Sequence, residues 1–317
     1  MKAAVVNVLG QAPQYLEFGE PVAGEGEAVV DMLAAGLHPI VKSLASGQHY
    51  SSKGVVPFVA GVDGVGRLEG GRLAYCLAAR PPYGTMAERT VVSPGKCIPL
   101  PEDLDPVQAA AIANPGMSAW LSLKSRAGLV AGEAVLINGA TGVAGQLAVQ
   151  VARYLGARKV IATGRNHEAL TALGVDATIV LTDPDDAVSE AFTAQVRDGG
   201  IDVIIDYLWG KPTELLLGAL AKGFRPEGSR RIRLVEVGES AGKTIALPGS
   251  VLRSMDLNLC GSGFGSVPLE EIMSAIPTLF SLAADGHLKV DVESVPLAEV
   301  EEAWGRVEKG KRIVFSI

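Results

Sequence analysis

Three glycines spaced three residues apart, Gly139, Gly142 and Gly145, have the spacing of a phosphate-binding turn. They follow the β-branched run 133–138 and precede apolar residues that recur every four positions up to Leu155. This order predicts a strand, a glycine turn and a helix. Glycines let the backbone approach a diphosphate closely, and the amides of the first helical turn attract the anion. The spacing departs from GxGxxG, so close helix–strand packing is the alternative; the surrounding strands favour dinucleotide binding.

The end of the next predicted strand, Thr163-Gly164-Arg165-Asn166, indicates which dinucleotide binds. An NAD site usually places an acid at this position to hold the ribose hydroxyls. Here the first carboxylate comes only at Glu168. The planar guanidinium of Arg165 can pair with a 2′-phosphate, which an acid would repel. The sequence therefore predicts NADPH, with a solvated loop arginine as the alternative.

The composition limits the class of protein. The 317 residues are 48% hydrophobic and 20% charged, which suffices for a sizeable core and suggests two domains. The net charge of −7 argues against a general nucleic-acid or anionic-membrane surface. Cys76, Cys97 and Cys260 lack CxxC spacing and are expected to be buried, unpaired small hydrophobes in a reducing compartment. No run reaches the roughly 18 apolar residues of a membrane span, so we expect a cytoplasmic protein.

The pattern of elements changes twice along the chain. Residues 1–112 contain short strands separated by Gly and Pro clusters, 113–250 alternate strands with helices, and 251–317 mix both. Alternation of strands and helices is typical of a parallel sheet covered on both faces. The sequence therefore predicts an α/β nucleotide domain, 113–250, inserted into a β-rich domain.

Segments spread over nearly the whole chain resemble one superfamily. They are Ala35–Pro39, Ser46–Tyr50, Pro57–Gly66, Tyr83–Glu88, Asn114–Ala119, the glycine turn, Asp206–Gly210, Val237-Gly238 and Gly261–Gly263. Together they resemble the medium-chain dehydrogenase/reductase superfamily and, within it, the zinc-free, zeta-crystallin-like quinone oxidoreductases. The resemblance implies a doubly wound Rossmann domain, 113–250, inserted in a GroES-like catalytic domain of 1–112 and 251–317. It also implies hydride transfer from NADPH to a quinone or an α,β-unsaturated carbonyl.

The chain departs from the zinc-binding members of this superfamily. Those members carry a cysteine near the position of His38, a Gly-His-Glu where this chain has Gly61-Val62-Asp63, and a four-cysteine lobe that is absent here. One imidazole and one carboxylate do not make a zinc site. We therefore expect no metal. Quinone reductases usually carry Asn-Pro-x-Asp where this chain has His38-Pro39-Ile40-Val41, so the usual asparagine and aspartate of that segment are missing here.

Two residues are candidate proton donors, Tyr50 from the resemblance and His38 from the chemistry of its imidazole. Tyr50 falls where related enoyl reductases carry a tyrosine donor, but the segment is one residue longer here, so His49 is an alternative. His38 can donate a proton or orient the substrate, since its proton equilibrium lies near working pH. The other interpretations are an ordinary loop tyrosine for Tyr50 and a satisfied His-Pro turn for His38.

The resemblance also implies a set of residues that hold the cofactor. They are Ser118, Gly139, Thr141, Gly142, Val143, Ala144, Gly164, Arg165, Asn166, Val237, Gly238, Gly261, Ser262 and Gly263. Ser118 is in addition a candidate N-terminal cap for a helix beginning at Ala119.

The expected partner is a small quinone or enone, and no nucleic acid is expected. Relatives commonly pair through an edge strand, here near Leu257–Gly263, which predicts a homodimer. The basic cluster Arg225–Arg233 can approach the adenosine phosphate or an RNA, or form a charged loop. Two other functions remain open: an enoyl-thioester reductase, and a non-catalytic NADPH-binding sensor or RNA-binding protein on the same fold.

Overall fold

The computed structural model describes residues 1–198, 200–223, 231–307 and 310–317. The chain forms two compact units, a first of Met1–Pro115 with Met273–Ile317 and a second of Gly116–Ile272. The second unit ends at Ile272, beyond residue 250, where the sequence predicts the end of the nucleotide domain. A further parallel strand, Leu257–Gly261, extends the sheet of the second unit and carries the boundary with it.

The strands and helices are numbered along the chain. The strands are β1 Lys2–Val6, β2 Gln14–Glu17, β3 Ala28–Gly36, β4 Phe58–Val59, β5 Asp63–Arg67, β6 Leu73–Leu77, β7 Arg89–Val92, β8 Cys97–Pro99, β9 Ala134–Asn138, β10 Lys159–Gly164, β11 Ala177–Val180, β12 Val203–Asp206, β13 Ile232–Glu236, β14 Leu257–Gly261, β15 Val292–Pro296 and β16 Arg312–Ser316. The helices are α1 Pro39–Ala45, α2 Pro106–Trp120, α3 Val143–Tyr154, α4 His167–Ala172, α5 Asp185–Arg197, α6 Gly210–Gly223, α7 Gly249–Ser254, α8 Leu269–Ala284 and α9 Val300–Trp304.

The first unit is built from two sheets. The larger has the strand order β15-β16-β3-β5-β6-β8, with β7 also paired to β3, and the smaller has the order β2-β1-β4. Except for β15 and β16, the paired strands are antiparallel. Leu37, Met86 and Phe315 are fully buried in one core cluster of this unit. These sheets agree with the β-rich domain that the sequence predicts.

The second unit contains a parallel sheet with the order β11-β10-β9-β12-β13-β14. Numbered from β9, this order is that of the doubly wound dinucleotide-binding fold. Leu136, Ile161 and Ile204 are fully buried, because strands covered on both faces are apolar throughout. The predicted Rossmann domain is confirmed. None of the helices in the described ranges has the length and apolarity needed to cross a bilayer.

The helix around Asn114-Pro115-Gly116 corrects one expectation. Helix α2 runs through Pro115 to Trp120 and continues as a π-helical turn, Leu121–Arg126. Ser118 therefore lies inside a helix, and the capping role predicted for it is wrong. Burial of the apolar residues 109–113 on the same helix stabilises its course despite the proline, whose ring removes one backbone donor.

Candidate functional site

The glycine turn lies where the strand order of the parallel sheet reverses. Strand β9 has β10 on one side and β12 on the other, and ligands of such sheets bind outside the carboxyl ends of the strands at this point. The chain leaves β9 at Gly139, whose φ is +91°. A side chain there would be strained, and its Cβ would come within 2.9 Å of Leu208 Cδ2.

The other two glycines give the turn its shape. A Cβ on Gly145 would collide with the carbonyl oxygen of Gly139, so the absence of a side chain allows α3 to pack directly on the turn. Gly142 is the N-cap of α3 and is exposed, and a Cβ on it would meet only the carbonyl oxygen of Gly139, at an ordinary contact distance of 3.9 Å. The first helical hydrogen bond runs from Gln146 N to Gly142 O at 2.8 Å. The amides of Val143 and Ala144 precede it and have no intrahelical partner, which fits a diphosphate.

A chain of buried hydrogen bonds holds the start of the turn. Thr163 Oγ1 donates to Asn138 Oδ1 at 2.6 Å and accepts from the backbone amide of Gly139 at 3.0 Å. The amide of Ala140 donates to the carbonyl oxygen of Thr163 at 2.8 Å. Asn138 and Thr163 are fully buried. The turn is thereby fixed to the ends of both β9 and β10.

The carboxylate of Asp206, at the end of β12, is the centre of this polar cluster. It is fully buried, and Oδ1 accepts from Asn138 Nδ2 at 2.9 Å and from the amides of Leu208 and Trp209 at 3.0 and 3.1 Å. Oδ2 accepts from Thr213 Oγ1 at 2.5 Å. A buried carboxylate requires such donors because its desolvation is costly. The sequence marked Asp206 only as a family landmark and missed this role.

The end of β10 carries the residues predicted to select the cofactor. Gly164 is buried, and a Cβ on it would come within 2.7 Å of Thr141 Cγ2, so the strand end approaches the glycine turn closely. Arg165 is exposed. Asn166 caps α4, its Oδ1 accepting from the amide of Ala169 at 3.1 Å. The exposed guanidinium thus stands directly after the strand, where an NAD site has its acid.

The loops after β13 and β14 are held by backbone bonds. The amides of Val237 and Gly238 donate to the carbonyl oxygen of Asp206 at 2.8 and 3.2 Å. The amide of Ser262 donates to the carbonyl oxygen of Glu236 at 2.8 Å. These bonds fix the predicted cofactor residues of both loops to the strand ends of the same sheet.

A side chain from outside the sheet supports the second of these loops. Arg126 donates from Nε to the carbonyl oxygen of Gly261 at 2.8 Å and from a terminal nitrogen to that of Ser266 at 3.2 Å. The amide of Gly263 donates to Ser266 Oγ at 2.7 Å. Neither Arg126 nor Ser266 was singled out in the sequence. Arg126 acts on backbone groups 135 and 140 positions away, and Ser266 acts locally, on the backbone of Gly263.

Glu236, the last residue of β13, and Tyr207, directly after β12, have raised pKa values. Burial raises the pKa of Glu236, and the charges of Asp206 and Glu239 raise it further. Burial likewise raises the pKa of Tyr207, an effect that Ser118 partly opposes. The Tyr207 hydroxyl is buried and finds no partner in hydrogen-bond geometry among the described residues.

His38 belongs to a buried polar cluster of the first unit. It is 1% exposed, and its Nε2 lies 3.1 Å from Asp63 Oδ1. Asn114 Nδ2 donates to Asp63 Oδ2 at 2.6 Å, and Thr85 Oγ1 donates to the carbonyl oxygen of Asp63 at 2.6 Å. A Cβ on Gly36 would collide with the His38 ring, so this glycine makes room for the imidazole.

The cluster around Asp63 also affects a neighbouring tyrosine. Tyr75 is buried, and its pKa is raised by burial and then by the charge of Asp63. Among the described residues, His38 Nδ1 has no hydrogen-bond partner. His38 is therefore held firmly by one nitrogen, while the other is buried without a bond.

Tyr50 occupies a different environment. Its side chain is 75% exposed, and its ring stacks on His49 with centroids 4.2 Å apart and planes 32° apart. A ring nitrogen of His49 lies 2.7 Å from Ser51 Oγ. Of the two alternatives for the longer segment, Tyr50 is thus the more exposed residue, whereas a ring nitrogen of His49 is engaged by Ser51.

The residues that would hold a metal do not assemble in the described ranges. No three His, Cys, Asp or Glu side chains converge there. His38 and Asp63 form a pair only. A zinc site needs at least three converging ligands.

The basic cluster is only partly described. Arg225–Arg230 lie outside the described residues. Arg231 pairs with Asp256 at 3.1 Å, and Arg233 pairs with Glu133 at 2.5 Å. These two guanidinium groups therefore already neutralise carboxylates of the same chain.

Comparison with known proteins places this arrangement in a family. A family model described as a zinc-binding dehydrogenase matches residues 173–313. The quinone oxidoreductase of Thermus thermophilus, whose crystal structures include a complex with NADPH, is 30% identical over 100% of both chains, with a TM-score of 0.78. The chain belongs to the quinone oxidoreductase family of the medium-chain dehydrogenases/reductases. This confirms the resemblance seen in the sequence.

Two further relatives match this chain over different shares of their length. A probable NADPH-dependent quinone reductase of Emericella nidulans is 28% identical, and the match spans 99% of both proteins. The quinone oxidoreductase of Pongo abelii is 30% identical, with 59% of each chain matched. A mycobacterial quinone oxidoreductase solved in its native form superposes with a TM-score of 0.84 at 22% identity, which supports the fold.

Proposed function

We propose that this family member is an NADPH-dependent oxidoreductase that reduces quinones or α,β-unsaturated carbonyl compounds. One observation at the ends of the strands carries the proposal. The glycine turn lies where the strand order reverses, and the residue directly after β10 is Arg165 instead of an acid. The relatives support it: the enzyme of Thermus thermophilus was crystallised with NADPH, and that of Emericella nidulans is described as NADPH-dependent.

The second unit supplies the binding groups. The amides of Val143 and Ala144 at the N-terminus of α3 would hold the diphosphate, and the guanidinium of Arg165 would pair with the 2′-phosphate. The remaining predicted contacts are Ser118, the turn residues Gly139, Thr141 and Gly142, Gly164, Asn166, and the loop residues 237–238 and 261–263. When bound, NADPH supplies the hydride, and the protein supplies orientation and electrostatics.

The substrate oxygen gains negative charge and needs a proton donor. Tyr50 is the better candidate because its side chain is 75% exposed, whereas His38 is 1% exposed and bonded to Asp63. A positioned general acid lowers the barrier by stabilising the developing charge. The role of His38 is then to hold the buried cluster of the first unit in place.

Zinc independence is part of the proposal. The donor set supports it, since His38 and Asp63 come without a third ligand in the described residues. Elemental analysis of purified protein is expected to find no stoichiometric zinc, and a chelator is expected to leave turnover unchanged. One zinc per chain would overturn this part of the proposal and direct attention to His38 and Asp63.

A homodimer in the cytoplasm is the expected working form. Strand β14 is the last strand of its sheet. Leu259 on this strand is 38% exposed, and Phe264, which follows it, is 47% exposed. An edge strand with exposed apolar residues suits a two-fold contact with a second copy. Light scattering at micromolar concentration is expected to give twice the chain mass of 32.8 kDa, and the monomer mass would refute the dimer.

A steady-state assay tests the function. Purified protein is mixed with NADPH and, in parallel, with a small p-benzoquinone, an alkyl vinyl ketone and an enoyl thioester. Consumption of NADPH with the quinone or the ketone is expected. Reaction with the thioester alone would favour an enoyl-thioester reductase, and tight NADPH binding without reaction with any of the three would favour a sensor.

A further inference from the structure

Two of the three cysteines face each other across a pair of strands. Strands β6 and β8 of the first unit are antiparallel, and their register places Cys76 directly opposite Cys97. The two Sγ atoms lie 3.3 Å apart. Directly opposed residues of antiparallel strands have Cα atoms about 4.5–5.5 Å apart, within the range of about 4.4–6.8 Å that disulfides span. The backbone is therefore already placed for a covalent bond between them.

The environments of the two thiols differ. Cys76 is fully buried among Val30, Met32 and Val92, whereas Cys97 is partly exposed at the edge of this cluster. The Cys76 thiol is thus shielded from reagents in solution. The Cys97 thiol can be reached by a small molecule.

The pKa shifts of the two thiols also make Cys97 the more reactive one. The hydrogen bond between the two sulfur atoms lowers the pKa of Cys97, burial opposes this, and the charge of Arg72 lowers the pKa again. The same hydrogen bond and burial raise the pKa of Cys76. The thiolate is the reactive form of cysteine, so Cys97 is the attacking group and Cys76 the resolving group.

We propose that Cys76 and Cys97 form a peroxide-sensitive dithiol that closes to a cross-strand disulfide, separate from the NADPH-dependent activity. The Cys97 thiolate attacks one oxygen of a hydroperoxide, the O–O bond breaks, and Cys97 becomes a sulfenic acid while the other oxygen leaves as water or an alcohol. The Cys76 sulfur then attacks the Cys97 sulfur. Its proton leaves with the displaced hydroxide as water, and the S–S bond forms. The two thiols lose two electrons to the peroxide.

Peptide mapping without reductant tests the wild-type protein directly. Reduced protein is treated with hydrogen peroxide in slight excess, blocked with iodoacetamide and digested. A linked peptide pair containing Cys76 and Cys97 is expected, which dithiothreitol converts into two separate peptides. Recovery of both cysteines as separate, alkylated or over-oxidised peptides would overturn the proposal.

Three variants test the assigned roles. In Cys76→Ala, Cys97 is expected to stop at the sulfenic acid, which dimedone labels. In Cys97→Ser, Cys76 is expected to stay a thiol under the same peroxide dose. Cys260→Ser is the matched control, because Cys260 belongs to β14 of the second unit and has no place in the β6–β8 pairing, and it is expected to form the disulfide at the wild-type rate. Equal peroxide reactivity of Cys76 in Cys97→Ser and of Cys97 in Cys76→Ala would contradict the roles.

Discussion

Asn138 and Asp206, the last residues of the adjacent strands β9 and β12, are joined by a buried hydrogen bond of 2.9 Å from Nδ2 to Oδ1. Asn138 in turn accepts from Thr163 at the end of β10. The ends of β9, β10 and β12 are thus linked by side-chain hydrogen bonds. Thr163 Oγ1 also accepts from the backbone amide of Gly139, the first residue of the glycine turn. We infer that this network presents the turn in the shape that a diphosphate needs.

The first prediction concerns Thr163. Thr163→Val removes the hydroxyl with little change of shape. It takes the donor from the buried Asn138 Oδ1 and the acceptor from the partly buried amide of Gly139. The free energy of unfolding is expected to fall by about 1–3 kcal/mol, since an unsatisfied buried group costs that much. NADPH affinity is expected to fall as well. Thr178→Val, at an exposed position of the neighbouring strand β11, is the control for urea unfolding and NADPH titration. Equal stability of the two variants would contradict the role of the network.

The second prediction concerns cofactor choice. Arg165→Ala is expected to weaken NADPH binding by about 1.5–3 kcal/mol, the value of a lost charged hydrogen bond, and to leave NADH binding unchanged. Fluorescence titration with both cofactors measures this. Arg253→Ala removes an exposed arginine of the same unit, in the last turn of α7, and is expected to change neither affinity. Equal titration curves for NADH and NADPH in the wild-type protein would refute the assignment.

The third prediction separates the two candidate donors. Tyr50→Phe is expected to lower turnover of an enone about 100-fold with little change in NADPH affinity, because general-acid catalysis contributes about that much. Quinones are expected to suffer less, since a quinol anion leaves readily and takes its proton from water. If His38→Ala lowers turnover while keeping its thermal stability and Tyr50→Phe has no effect, the donor is His38.

The fourth prediction follows from the raised pKa of Glu236. The folded protein binds the carboxyl proton of Glu236 more tightly than the unfolded chain does. The stabilisation that results is fully present below the ordinary glutamate pKa and is lost as pH rises from there through the raised pKa of the folded protein. Glu236→Gln is expected to remove that loss and to be more stable than the wild type at neutral pH. Thermal unfolding at about pH 5 and about pH 8 measures the slope. Glu190→Gln, at an exposed position of α5, is expected to keep the wild-type slope.

The elements of the second unit were largely predictable because their signals are local. The stripe of Val143, Leu147 and Val151 is buried as its four-residue spacing predicts. The position of Arg165 also follows from the sequence, since it comes directly after an apolar strand that ends in Gly164.

Contacts between distant parts of the chain were not predictable in this way. The Asn138–Asp206 bond spans 68 positions and depends on β12 lying beside β9, which no short pattern encodes. The sequence left Cys76 and Cys97 as unrelated small hydrophobes, because their pairing depends on the register of β6 against β8. Helix α2 continues through Pro115 because burial outweighs the local preference to end there.

A single-turnover reaction tests the central claim most directly. Protein with bound NADPH is mixed rapidly with a small p-benzoquinone, and the NADPH absorbance is followed over time. The measurement is repeated with NADPH deuterated at the transferred position and with the Arg165→Ala variant at saturating cofactor.

The account predicts a rapid loss of bound NADPH that is slower with the deuterated cofactor, because hydride transfer breaks that bond. Arg165→Ala is expected to react at a similar rate once it is saturated, since Arg165 binds the cofactor and does not take part in the transfer. Stable binding of NADPH with no oxidation by the quinone would contradict the account.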